Sequence, residues 1–169
     1  MDILILSDTH GHAERITEVL RRTGADTLLF LGDGLRDLAA VDEQTVTVRA
    51  VRGNCDWFSG DTVPELRLEI FGGYRVLMMH GHRYGVKGGI GAAVAAAARE
   101  QADVLLYGHT HEPFEATLPV GTPLADGTAL QKSLLVVSPG SLGAPARGAP
   151  SFATLTVRQN GILAGFGKL

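Results

Sequence analysis

All six histidines of the chain fall into three His-X-His pairs: His10/His12, His80/His82 and His109/His111. Each pair closes a strand-like apolar run, in ILILSDTHGH, VLMMHGH and VLLYGHTH. Two further runs end the same way: LLFLGDG delivers Asp33 and VRAVRGN delivers Asn54. Imidazole nitrogens suit zinc, iron and nickel, while carboxylate and amide oxygens suit manganese and magnesium. Residues i and i+2 on a turning loop diverge, so one pair can serve two neighbouring ions, and one carboxylate can bridge both. Two divalent ions ~3.5–4 Å apart can clamp a phosphoryl group and activate a water between them. With a single cysteine, Cys55, the chain has neither an internal disulfide nor a thiolate zinc cage.

Each residue taken alone has a plainer use. A histidine after a strand serves as a hydrogen-bonded turn residue, Asp33 as a turn former or helix cap, and Asn54 as a left-handed residue after Gly53. Seven residues of ligand type at five strand ends make coincidence a weak explanation.

The elements that must position them are legible in outline. Apolar runs at Ile3–Leu6, Thr27–Leu31 and Asp103–Tyr107 predict buried strands, and β-branched alternation predicts another at Thr45–Val51. Ile16, Val19 and Leu20 among charges predict an amphipathic helix over 12–23. Leu35–Val41 predicts a short helix, 53–64 a loop, and Gly72-Gly73 a hairpin between Glu65–Ile70 and Tyr74–Met79. The run AAVAAAARE predicts a helix over Gly88–Gln101. The last third reads as strand and turn, at 113–118, 134–137, 151–157 and 161–166, with an exposed hairpin or loop at 119–132. Early strands alternate with helices and later strands dominate. The expectation is an α/β fold in which a largely parallel core joins a more antiparallel second sheet. If the five runs share a sheet system, Asp8, His10, Asp33, Asn54, His80, His109 and His111 converge on the carboxyl edge, where open α/β sheets bind ligands.

Composition narrows the field. At 169 residues, 45% hydrophobic and 20% charged, the chain suits one globular domain, residues 1–169. A net charge of −3 argues against an extended nucleic-acid surface. No segment approaches the ~20 apolar residues of a membrane span, and Ile3–Leu6 is too short for a signal peptide. A cytoplasmic protein is the expectation.

The motifs Asp8-Thr9-His10, Gly32-Asp33 with Asp37 after it, Gly53-Asn54, His80 in MHGH, and Gly108-His109-Thr110-His111 occur in an order that resembles the calcineurin-like metallophosphoesterase superfamily. SPGSLGAP (138–145) and the short length resemble its small YfcE-like phosphodiesterase branch. The resemblance implies a sandwich of two mixed sheets flanked by helices, αββα. It implies one metal on Asp8, His10, Asp33 and His111, and a second on Asp33, Asn54, His80 and His109, with Asp33 bridging. It also implies direct attack on phosphorus by a hydroxide bridging the two divalent ions. Manganese is the first expectation, with nickel, iron and zinc as the other candidates.

Many superfamily members carry histidine directly after the metal-binding asparagine, and this chain has Cys55 there. A thiol forms a poor hydrogen bond to a departing alkoxide, and losing a positioned acid typically costs 10²–10⁴-fold in rate. The candidates for the reaction are Asn54, Cys55 in the place of that histidine, and His82 as an alternative proton donor. Arg83, Arg147 and His12 are assigned to substrate, and Asp37 and Asp56 to orienting the ligands. Trp57 and Phe58 are candidates to wall the pocket. The expected function is a metal-dependent phosphodiesterase acting on a phosphoester substrate, and self-association is left open. The alternatives are a phosphomonoesterase for a small metabolite or nucleotide, and a protein-binding scaffold. The superfamily's scaffold-type retromer subunit lacks the Gly-Asn step that Gly53-Asn54 supplies here.

Overall fold

The computed structural model describes the backbone of residues 1–169 and every side chain except those of residues 59–61. Ten strands form two five-stranded sheets. The first has the order β10-β9-β1-β2-β3, with β1 Asp2–Leu6, β2 Thr27–Phe30, β3 Thr47–Ala50, β9 Ser151–Arg158 and β10 Gly161–Lys168. The second has the order β4-β5-β6-β8-β7, with β4 Leu66–Phe71, β5 Tyr74–Met79, β6 Val104–Tyr107, β7 Pro113–Leu118 and β8 Leu134–Pro139. Two helices are present, α1 at Ala13–Thr23 and α2 at Gly91–Arg99.

Strand alternation builds three apolar layers. Ile3, Ile5, Leu29 and Leu31 of the first sheet face Val76, Met78, Val104 and Leu106 of the second across the inter-sheet core. The intervening Leu4, Leu6, Leu28 and Phe30 point the other way, onto Ile16 and Val19 of α1. Leu77, Met79, Leu105 and Tyr107 likewise meet Ala93, Val94, Ala96 and Ala97 of α2. Strands buried on both faces must be apolar throughout, which is why these runs show no alternation in the sequence. The layers stack as α1, sheet, sheet, α2, the αββα sandwich.

The mixed sheets agree with the resemblance, and they correct the reading from strand order alone, which put the parallel strands in one core sheet and the antiparallel ones in a second. Both sheets are mixed: β1–β2 and β2–β3 are parallel, as are β5–β6 and β6–β8, and the remaining pairs are antiparallel. The late strand β9 returns to lie against β1, a long-range pairing that local sequence does not encode. Helix α2 is shorter than 88–101. Gly88 and Gly89 precede it without helical support, and Gln101 follows it with φ of 51°. Residues 35–40 form a 3₁₀ rather than an α-helical turn, and the expected loop 53–64 contains another at 57–62. Between β7 and β8, Pro123 and Ala129 form an isolated antiparallel bridge. Among the described residues no helix is long and apolar enough to cross a membrane.

Candidate metal centre

The parallel strands β1, β2, β3, β5 and β6 end where the chemistry begins. Asp8 lies two residues beyond β1, Asp33 three beyond β2, His80 immediately after β5, and His109 two beyond β6. The backbone there is unusual. Six non-glycine residues adopt positive φ among the described residues, and five are Asp8, His10, Asp33, His109 and His111. Left-handed backbone costs energy for residues with a Cβ and clusters at functional sites.

Hydrogen bonds tie these turns together. Asp8 N donates to Gly32 O (2.9 Å) and His10 N to Asp33 O (3.2 Å), joining the β1 and β2 ends. His109 N donates to Asp8 Oδ2 (3.0 Å), joining the two sheets. Asp56 gathers four backbone donors, those of Asp33, Gly34, Leu35 and Gly53, at 2.7–2.9 Å. Asp37 accepts from Thr9 Oγ1 (2.5 Å) and Gly11 N (2.9 Å). The SPGSLGAP segment wraps the same region: Ser141 Oγ and Gly143 N both donate to Asp8 O, and His111 Nδ1 donates to Ala144 O (2.5 Å). Two motif glycines are set by close approach. A Cβ on Gly53 would lie 2.1 Å from Asp33 Oδ1, and one on Gly108 would lie 2.0 Å from Ser7 Oγ.

The donor atoms fall into two groups that share a boundary. Asp8, His10 and His111 form one, and Asp33, His80 and His109 the other, with each group's ligand atoms within 4.8 Å of one another. Asp33 also lies within that distance of His10 and Cys55, so its carboxylate reaches both groups. Tautomers follow from the acceptors. Carbonyl oxygens only accept, so His80 Nδ1, 2.7 Å from Leu31 O, and His111 Nδ1 carry the protons. In the neutral rings both Nε2 atoms then present lone pairs. His80 Nε2 points at Asp33 Oδ2 (3.3 Å) and His109 Nδ1 (3.2 Å). His111 Nε2 points at Asp8 Oδ1 (3.1 Å) and His10 Nε2 (3.3 Å). Asp8 Oδ1 is buried without a hydrogen-bond donor. Lone pairs converge at both points, and a cation satisfies them where hydrogen bonds do not. The donor set fits divalent metals.

The titration behaviour has the same cause. Burial opposes ionisation of Asp8 and Asp33, but neighbouring histidines outweigh it: Asp8 is held far below the usual carboxylate range and Asp33 is brought down to about 2. Burial disfavours a charged His80, yet Asp33 and Asp8 raise its pKa. His109 is pushed down to about 4 by burial and by the charge of His80. The Cys55 thiol is pushed up to about 11 by burial and by Asp33.

The other residues singled out in the sequence lie around this centre. Asn54 follows Gly53 on the β3 loop, where its Nδ2 meets Cys55 Sγ at 3.3 Å. Cys55 N donates to Asp33 Oδ1 (2.7 Å), a main-chain role invisible in its side-chain type. The His82 ring centroid is 5.5 Å from that of His80, and its Nδ1 is buried without a partner. His12 precedes α1 and pairs with Glu14 (3.1 Å), and it is in none of the donor groups. Arg83 pairs with Glu65 (2.5 Å). Arg147 is 91% exposed and 4.0 Å from Glu112. Neither arginine lines the cavity beside the donors. The sequence reading missed Ser7 and Ser141, which hold Asp8.

A two-sheet sandwich whose parallel strand ends converge on histidine and aspartate donors is the architecture of the metallophosphoesterase class. The chain belongs to the calcineurin-like phosphoesterase superfamily, whose domain model matches residues 1–160. It is 30% identical over 161 residues to the probable metallophosphoesterase YsnB of Bacillus subtilis, covering 95% of this chain and 86% of YsnB. It is 28% identical to the phosphodiesterase YfcE of Escherichia coli K12, covering 89% and 84% of the two chains. A crystal structure of a predicted phosphoesterase from Streptococcus pneumoniae superposes with a TM-score of 0.75 at 26% identity, covering 99% of this chain and 88% of the other.

Proposed function

We propose that residues 1–169 form one domain that hydrolyses phosphodiesters with the help of two divalent metal ions, manganese first among them. The observation that carries this reading is the pair of lone-pair-lined donor groups, Asp8–His10–His111 and Asp33–His80–His109, with Asp33 also within reach of His10. Asp8, His10, Asp33 and His111 would hold one ion, and Asp33, Asn54, His80 and His109 the other. Bound there, the ions would supply positive charge to draw in a phosphate ester and the acidity to generate a hydroxide nucleophile near neutral pH. The chain's own residues do the rest. Asp56 and Asp37 fix the turns that carry Asp33 and Asp8. Leu31 O and Ala144 O set the tautomers of His80 and His111, so that both present Nε2. Cys55, whose thiol burial and the Asp33 carboxylate push up in the metal-free protein, forms a poor hydrogen bond to a departing alkoxide. Esters with good leaving groups are therefore favoured, and the similarity to YfcE supports a diester.

The test is to load the protein in turn with Mn, Ni, Zn and Mg and compare bis(4-nitrophenyl) phosphate with 4-nitrophenyl phosphate. Faster turnover of the diester is expected, and faster turnover of the monoester would move the assignment to a phosphomonoesterase. Metal-loaded protein that hydrolyses neither ester would leave the fold as a protein-binding scaffold.

A further inference from the structure

Beside the two groups assigned above lies a third that contains the thiol. Cys55 Sγ, a ring nitrogen of His10 and a carboxylate oxygen of Asp33 all lie within 4.8 Å of one another. The three residues follow β3, β1 and β2 of a single sheet. All three line the cavity of about 710 Å³ beside the centre, so a soluble ion can reach them.

Three observations give this group a use of its own. Cys55 is exposed, so its thiol fills no core space. Its backbone is pinned to the site, with Cys55 N donating to Asp33 Oδ1 (2.7 Å), and Asn54 Nδ2 donates to its Sγ (3.3 Å). A thiol sulfur is a weak acceptor, and an anionic sulfur makes more of such a donor. Asp8 Oδ1, fully buried and without a hydrogen-bond donor, stands 3.7 Å from His10 Nε2, so His10 already borders a point that calls for a cation. Ligand softness then separates the ions. Carboxylate and amide oxygens suit manganese, whereas a thiolate selects zinc, which also ranks above manganese at mixed N, O and S sites. Tetrahedral zinc, at ~2.0–2.3 Å from its ligands, sets them roughly 3.3–3.7 Å apart. His10 and Cys55 are both exposed and have room to close to that spacing.

We propose that Cys55 is a ligand for thiophilic metal ions, and that with His10 and Asp33 it forms a zinc site overlapping the manganese centre. The sulfur binds as thiolate, and its proton is released to solvent. Manganese, a hard ion, leaves the thiol unused. His10 and Asp33 are also donors of the two-ion centre, so zinc held by Cys55 takes them from it and hydrolysis stops. This consequence rests on the phosphoesterase reading, and the zinc site itself does not.

Cys55 is the only cysteine, so any cysteine thiolate signal belongs to it. Cobalt(II) serves as a coloured stand-in for zinc. The cobalt-loaded protein should show a near-ultraviolet sulfur-to-metal charge-transfer band that zinc displaces, and Cys55→Ser should lack it. In competition titrations, Cys55→Ser should lower the ratio of zinc to manganese affinity by at least about 10-fold. On the unaltered protein, zinc should slow alkylation of the thiol by iodoacetamide far more than manganese does. A cobalt spectrum without the band, an unchanged affinity ratio, or equal protection by the two ions overturns the proposal. Zinc added to the manganese-loaded protein should stop hydrolysis of bis(4-nitrophenyl) phosphate at lower concentrations in the wild type than in Cys55→Ser. Equal sensitivity would remove the thiol from the inhibition. Manganese-loaded protein that hydrolyses no ester counts against the phosphoesterase reading alone, because the cobalt band and the alkylation rates need no turnover.

Discussion

Asp33 accepts the Cys55 N–H through one oxygen and faces His80 Nε2 through the other, while remaining within reach of His10. A carboxylate so placed is held from the main chain on one side and open to two donor groups on the other. Asp33→Asn exchanges an anionic oxygen for an N–H at the shared point. It is expected to lower kcat/KM by more than the ~10–100-fold typical of residues that only orient ligands, with loss of metal in elemental analysis. Full metal content with near-normal turnover would remove Asp33 from the bridging position. Cys55 contributes through its backbone, so Cys55→Ala should retain activity within about 100-fold of the parent. A larger loss, measured with an ester of a poor leaving group, would assign the thiol a part in the reaction.

At the scale of elements, the turns matter more than the strands that deliver them. Asp56 belongs to the β3 loop, yet among the described residues three of the four backbone donors to it belong to residues 33–35 after β2. Asp56→Asn keeps the shape but turns one acceptor atom into a donor, leaving buried N–H groups unpaired. Each such group costs ~1–3 kcal/mol, so a loss of about 2–4 kcal/mol is expected from urea unfolding. A loss below about 0.5 kcal/mol would mean that the two turns hold without it. The 138–145 segment acts in a similar way from β8. A Cβ at Gly143 would lie 1.9 Å from Thr9 O, so Gly143→Ala must displace the Asp8 turn. Weaker metal binding with little change in secondary structure is the outcome expected from calorimetry and circular dichroism.

For the whole molecule, the candidate donors come from both sheets, so a bound metal would couple to the fold. A ligand at 100 times its Kd stabilises by about 2.7 kcal/mol, or roughly 5–10 °C in Tm for a chain of this size. Thermal melts with excess manganese and with EDTA should differ by that much, and coincident melts would show that no ion binds. Protons compete for the same atoms. His111 has its pKa raised by the adjacent Asp8 carboxylate, and His80 by Asp33 and Asp8 against the effect of burial. A protonated imidazole cannot ligate, so affinity is full above the raised values and is lost as pH falls through them. Manganese titrations at pH 8 and pH 6 should show weaker binding at pH 6, with more protons released per ion. Equal affinity at both values would mean that these rings are not ligands.

The sequence determined the donor chemistry, because ligand type is a property of side chains and the strand-ending pattern placed each donor after an apolar run. It also determined most element positions, through local periodicity: α1 reads from Ile16, Val19 and Leu20, and the β4–β5 hairpin from Gly72-Gly73. Tertiary structure alone decided how the strands share two mixed sheets, since β9 reaches β1 from 150 residues away and no local pattern carries that pairing. It alone decided the left-handed backbone at five donors and the carbonyls that set the tautomers of His80 and His111. The same holds for Cys55. Its thiol is written in the chain, but its place beside His10 and Asp33 arises only when the loops after β1, β2 and β3 meet.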